Sequence, residues 1–357
     1  LHQVLPRIFE SPFSKPLDWQ MNEGENWTII GPNGSGKSMF AEVLSGRYNL
    51  IEGSIEYPFF EKIKKQTDNE LISPKQCIKT ISFNSVYSMA DFREMYYQQR
   101  FNNLETDTSP SVSDLFPSDY KSSETIQHIA EMLGLEKLMN RRLIHLSSGE
   151  LRKILIARTL LENPQMVIFD NPFIGLDTSS RNQLEEAFVL LSKNKIQLMF
   201  IVPAVNEIPR CSTHLMTIEN GNIISQEKMD MSVKRRCKSS DSEIIIDWNT
   251  IPSNPESEST EVVEMNNIEI SYGNRIINKN INWKIKKGQN WALLGPNGSG
   301  KSTLLSYIFA DNPQAYSKDL CLFGQKRGTG ESIWEIKKRI GFTSSEMHLY
   351  YRENVSS

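Results

Sequence analysis

The octapeptide GPNGSGKS occurs twice, at Gly31–Ser38 and at Gly295–Ser302. Each copy fits the phosphate-binding loop pattern G-x-x-x-x-G-K-[ST]. Bare backbone N–H groups must close round a polyphosphate there, often at φ values that a Cβ would forbid. The candidate cradle of the first loop is therefore Gly31, Pro32, Asn33, Gly34, Ser35 and Gly36. In the second loop it is Gly295, Pro296, Asn297, Gly298, Ser299 and Gly300. Lys37 and Lys301 supply a charge toward the β/γ-phosphates, and Ser38 and Ser302 a hydroxyl for Mg²⁺, with Thr303 beside the second. The apolar runs Trp27–Ile30 and Trp291–Leu294 predict a buried strand before each loop. Behind each loop the spacing is helical, so a helix N-terminus points its partial positive charge at the phosphates. A glycine turn that binds nothing would not be expected twice in one context.

The duplication reaches beyond the loops. From Gly31 to Gly295 the offset is 264 residues, and at that offset Trp19 falls on Trp283, Gly24 on Gly288, Asn26 on Asn290 and Trp27 on Trp291. Two related domains are expected in tandem: a first at residues 1–228, a linker at 229–260 and a second at 261–357. The second copy has far fewer residues than the first, and the chain opens on Leu1. The expectation is a piece of a longer protein, cut inside its second domain.

A hydrophobic share of 38% over 357 residues suffices for one large core and most of another. The formal net charge of −3 gives no electrostatic reason to expect nucleic acid or an anionic membrane. No apolar run approaches the roughly 18 residues of a membrane span. Cys77, Cys211, Cys237 and Cys321 form no C-x-x-C pair, which favours reduced thiols. No secretory signal is visible, and the expected location is intracellular, cytoplasmic or mitochondrial.

In chain order, Val4 to Ile30 reads as a strand-rich lead-in. Tyr272 of the second copy is a candidate to stack on an adenine ring, the alternative being an ordinary strand tyrosine, and Ile8 or Phe9 is the weaker candidate at that point of the first. Residues 102–124 are rich in Ser, Asp and Pro and read as a mobile loop. Beyond it, Ile126, Ile129, Met132 and Leu133 share a helix face, with Gly134 suited to the C-cap. Ser147, Ser148 and Gly149 stand at the start of the next helix, which Asn163-Pro164 ends. Met166–Phe169 is an unbroken apolar run, as in a strand buried on both faces, with Asp170 at its end. A carboxylate there, downstream of a phosphate loop, reads as the Mg²⁺-organising acid of a P-loop NTPase. A helix from Thr178 and a strand at Ile196–Val202 complete a βαβ pattern.

A phosphate loop, LSSGE opening a helix, and a strand-end aspartate followed by x-Pro-x-x-x-Leu-Asp together resemble a nucleotide-binding domain of the ABC ATPase superfamily. The stretch Phe323–Tyr351 is similar to the twin-domain ABC proteins grouped with the molybdate-transport ATP-binding family. The resemblance implies an α/β fold, one full nucleotide-binding domain plus the N-terminal part of a second, and ATP with Mg²⁺ as cofactors. It also implies intramolecular pairing of the two domains. Ser147, Ser148 and Gly149 would then clamp the γ-phosphate of the ATP held by Lys301. The metal residues carried over are Ser38, Asp170 and Ser302.

The same resemblance marks departures. Asn171 stands where the family has its catalytic glutamate, and Pro203 where it has a switch histidine. A glutamine expected near Ser82–Val86 is absent. An amide cannot take a proton, and a positioned general base is worth about 10² to 10⁴ in rate. The first site is expected to hold ATP without rapid turnover. Lys234–Lys238 in the linker could bind an acidic partner, but a solvated charge run is the favoured reading. Two other readings stay open: a ribosome-acting ABC protein of the translation-factor type, and the ATP-binding subunit of a membrane importer.

Overall fold

The computed structural model describes residues 1–9, 11–60, 63, 72–82, 110–117, 123–143, 146, 148–194, 196–229, 261–272, 275–295 and 299–343. The chain divides into two compact units, whose described residues run from Leu1 to Met229 and from Glu261 to Thr343.

In the first unit, β1 (His2–Pro6) pairs antiparallel with β3 (Leu50–Ser54). Between them lie β2 (Trp27–Ile30) and helix α1 (Lys37–Leu44). Then follow β4 (Ile78–Ser82), α2 (Glu124–Leu133), α3 (Ser148–Leu160), β5 (Met166–Asp170), α4 (Thr178–Lys193), β6 (Gln197–Ile201), β7 (His214–Glu219) and β8 (Asn222–Lys228). The main sheet has six strands in the order β4-β5-β6-β2-β7-β8, parallel except for the β7–β8 pair.

The unbroken apolar runs of the central strands follow from burial on both faces. Side chains alternate across a strand, so successive residues serve opposite cores. Val167 and Phe169 of β5 and Leu198 and Phe200 of β6 face a cluster built with α2, α3 and α4. Ile168, Met199 and Ile201 face the other way, onto α1 and the β1–β3 pair. Phe169 and Phe200 stack at 5.5 Å, with Phe188 of α4 against both. On α2, Ile126, Ile129 and Leu133 are buried as their spacing predicts, and Gly134 closes the helix at φ +66°.

One expectation for this unit is corrected. Part of the presumed mobile loop, residues 110–117, is ordered: Val112–Leu115 form a short 3₁₀ turn. Ser111 and Asp114 cap each other across it, and Val112 and Phe116 are buried in the larger core cluster. Two apolar anchors outweigh the polar composition around them. Residues 102–109 and 118–122 lie outside the described residues, as does the linker beyond Met229.

In the second unit, β9 (Glu261–Tyr272) pairs antiparallel with β10 (Arg275–Lys286) and with β11 (Leu320–Leu322), which pairs with β12 (Gln325–Lys326). Helix α5 (Lys301–Ile308) packs Leu304 and Tyr307 onto this sheet. Helix α6 (Ile333–Lys337) buries Ile336.

Here the second correction falls. Trp291–Leu294 forms no strand, and Trp291, Leu293 and Leu294 are exposed, Leu294 by 88%. Its counterpart β2 is buried because β6 and β7 bond it on either side. Among the described residues of the second unit no strand flanks this stretch, and an apolar run alone does not make a strand. The local repeat nevertheless persists. Trp19 and Trp27 meet edge-on at 5.6 Å, and Trp283 and Trp291 at 5.7 Å.

Candidate functional site

The first loop leaves the carboxyl end of β2 and enters α1, in the strand–loop–helix order that the pattern requires. Gly31 is at φ +151°, where an added Cβ would lie 2.0 Å from the carbonyl oxygen of Ile218 on β7. No side chain fits there. Lys37 is buried at the mouth of α1 and its ammonium donates to the carbonyls of Gly31 at 2.7 Å and Pro32 at 2.6 Å. Burial pushes its pKa down, against the pull of the nearby Asp170 carboxylate.

Asp170 reaches this loop from across the sheet. β6 bonds to β2 on one side and to β5 on the other, so the carboxyl ends of β2 and β5 lie two strands apart. Ser38 Oγ donates to Asp170 Oδ2 at 2.7 Å, spanning that gap. Asn171 Nδ2 donates to the other oxygen, Oδ1, at 3.0 Å. Burial raises the pKa of Asp170, while the Ser38 bond and the charge of Lys37 oppose the rise. The hydroxyl and carboxylate are hard oxygen donors in contact, which suits Mg²⁺. Among the described residues no group of three or more His, Cys, Asp or Glu could hold a metal. That is compatible with an ion that takes most of its ligands from phosphate and water.

Pro203 is exposed, two residues past the end of β6 and thus between the ends of β2 and β5. Gly149 is buried at the start of α3, where an added Cβ would lie 2.8 Å from Ser180 Cβ of α4. Ser147 lies outside the described residues, as do Phe83–Val86, where a glutamine was expected. One participant went unnoticed in the sequence. Arg152 of α3, 5% exposed, donates to the carbonyls of Pro172 and Ile174 and ties α3 to the turn after Asp170. A lone arginine among Leu151, Ile154 and Leu155 was its only sequence signal.

The second loop repeats part of this geometry. Lys301 donates to the carbonyl of Gly295 at 2.6 Å, and Asn278 of β10 donates to that of Ser299 at 3.1 Å. Gly300 precedes α5 at φ +86°, as Gly36 precedes α1 at φ +96°. Ser302 is exposed and Thr303 half-buried on the first turn of α5. Pro296, Asn297 and Gly298 lie outside the described residues. Tyr272 ends β9, paired with Arg275, and Phe9 in the first unit is exposed by 92%.

A glycine loop between a buried parallel strand and a helix, with lysine, serine and a strand-end carboxylate at its mouth, defines a P-loop NTPase. The chain belongs to the ABC transporter family, whose profile matches residues 14–174 and again 278–357. Its relatives include the ABC transporter ATP-binding protein ModF of Escherichia coli, 31% identical over 99% of this chain and 71% of that protein. An uncharacterized ABC transporter ATP-binding protein of Schizosaccharomyces pombe is 29% identical over 95% of this chain and 69% of its own. A solved ATP-binding cassette of an ABC transporter superposes with a TM-score of 0.50 at 22% identity, over 67% of this chain and 94% of that one. The tandem organisation expected from the repeat agrees with the twofold family match. No helix among the described residues is long and apolar enough to cross a membrane.

Proposed function

We propose that this chain is an intracellular tandem ABC ATPase whose first site holds Mg-ATP with slow turnover while the second carries hydrolysis. One observation carries the division of labour. Ser38 and Asp170 are joined at 2.7 Å, while the position beside Asp170 is an amide that donates to it. Lys37, Ser38 and Asp170 supply charge and metal-binding oxygens. Asn171 cannot accept a proton from water, and Pro203 offers no side-chain donor. Mg²⁺, when bound, would neutralise phosphate charge; Ser38 and Asp170 are the residues that would hold it. At the second loop, Lys301 and Ser302 take the corresponding roles, with Thr303 beside them. Tyr272 is the proposed stacking partner for adenine. The two nucleotide-binding domains pair, and ATP binding drives their closure.

The test is nucleotide stoichiometry by calorimetry on the whole protein. Two ATP should bind to the wild type and one each to Lys37→Ala and Lys301→Ala. Equal stoichiometry in all three would exclude both loops as the sites.

A further inference from the structure

Asn171 does more than fill the place of a missing base. Its Nδ2 bonds Asp170 Oδ1 at 3.0 Å while Ser38 holds Oδ2 at 2.7 Å, so each carboxylate oxygen has a donor of its own. Asn171 is fixed in turn. Its backbone N–H donates to the carbonyl of Ile201 at 2.9 Å, tying it to the end of β6. The carbonyls of Pro172 and Ile174, just beyond, are held by Arg152. Its φ of +52° is a conformation that asparagine adopts more readily than most residues.

We propose that Asn171 is a positioning residue that holds the carboxylate of Asp170 turned toward Ser38, so that the first site gains Mg²⁺-dependent affinity for ATP. The site is thereby specialised for retaining nucleotide, which is more than an inability to hydrolyse it. This rests on the proposed reading of the first loop as an ATP site with slow turnover.

The experiment uses the whole protein carrying Lys301→Ala, so that calorimetry reports on the first site. ATP affinity is measured in EDTA and then across a MgCl₂ series. Asn171→Gly keeps the backbone conformation and removes the amide. Asn171→Asp keeps the shape and exchanges a donor for a charge. Losing one hydrogen bond to a charged group should raise the Mg²⁺ midpoint roughly ten- to hundredfold in Asn171→Gly. The shift should be larger in Asn171→Asp, with affinity in EDTA unchanged for Asn171→Gly. An unchanged midpoint in both variants overturns the proposal. So does a shift matched by an equal loss in EDTA, which would mark a merely structural role. Rapid hydrolysis by the parent protein would sink the slow-turnover reading yet leave the midpoint result standing, and no ATP binding at all would sink both.

Discussion

Asn171 sits at φ +52° with Pro172 behind it and Asp170 in front. Those neighbours set what a single substitution can recover. Asn171→Glu places a longer side chain on left-handed backbone, at about 1–2 kcal/mol, and sets its charge beside a carboxylate whose pKa burial already raises. The contact expected from Pro203 would still be missing. Single-turnover hydrolysis at the first site of the Lys301→Ala protein should therefore stay below about 1 s⁻¹, the low end of ordinary enzyme rates. Adding Pro203→His should raise it, and a first site that exceeds that rate with Asn171 in place would refute the division of labour. The thiols give a second check at this scale. Burial pushes Cys211 up to about 12 and also raises Cys77 and Cys321. Since the thiolate is the reactive form, Cys211 should alkylate at pH 8 about a thousandfold more slowly than a free thiol. Mass spectrometry after timed iodoacetamide treatment measures this.

Helices α3 and α4 meet where Gly149 faces Ser180. Alanine in place of a helical glycine ordinarily stabilises by up to about 1 kcal/mol. Here its Cβ would fall 2.8 Å from Ser180 Cβ, with Ser180 anchored by its backbone N–H to the capping carboxylate of Asp177 at 2.7 Å. Gly149→Ala should therefore destabilise the whole protein by about 1–3 kcal/mol, and adding Ser180→Gly should recover part of it. Urea denaturation of the two single variants and the double variant measures the coupling. A stabilised Gly149→Ala would show that the helices are farther apart. The same elements show how far the sequence could be read. The first phosphate loop, β5 with Asp170, and the helices at 124–133 and 178–193 were legible, because local pattern and burial agree there. WTII and WALL have the same pattern, yet only the first is a strand, because bonding partners distant in sequence decide it. Val112 and Phe116 were hidden by polar neighbours, and the role of Arg152 depends on a turn 20 residues away, which no periodicity reports.

For the molecule as a whole, the question is which nucleotide the Ser147–Gly149 segment serves. A helix begins at Ser148, and the positive end of its dipole favours an anion. The head-to-tail pairing implied by the family would make that anion the γ-phosphate of ATP on Lys301, not that on Lys37. Gly149 is a poor probe, since any side chain there disturbs the packing on Ser180. Ser147→Ala is the better variant because it removes only a hydroxyl. If the hydroxyl bonds a charged phosphate, its loss should lower steady-state ATP turnover about ten- to hundredfold. The two lysine backgrounds then assign the site. With Lys37→Ala, Ser147→Ala should weaken ATP binding to the paired second site. With Lys301→Ala, it should leave affinity at the first site unchanged. The opposite pattern would mean that the segment serves its own domain's loop, and the two domains would then work as independent sites and not as a paired machine.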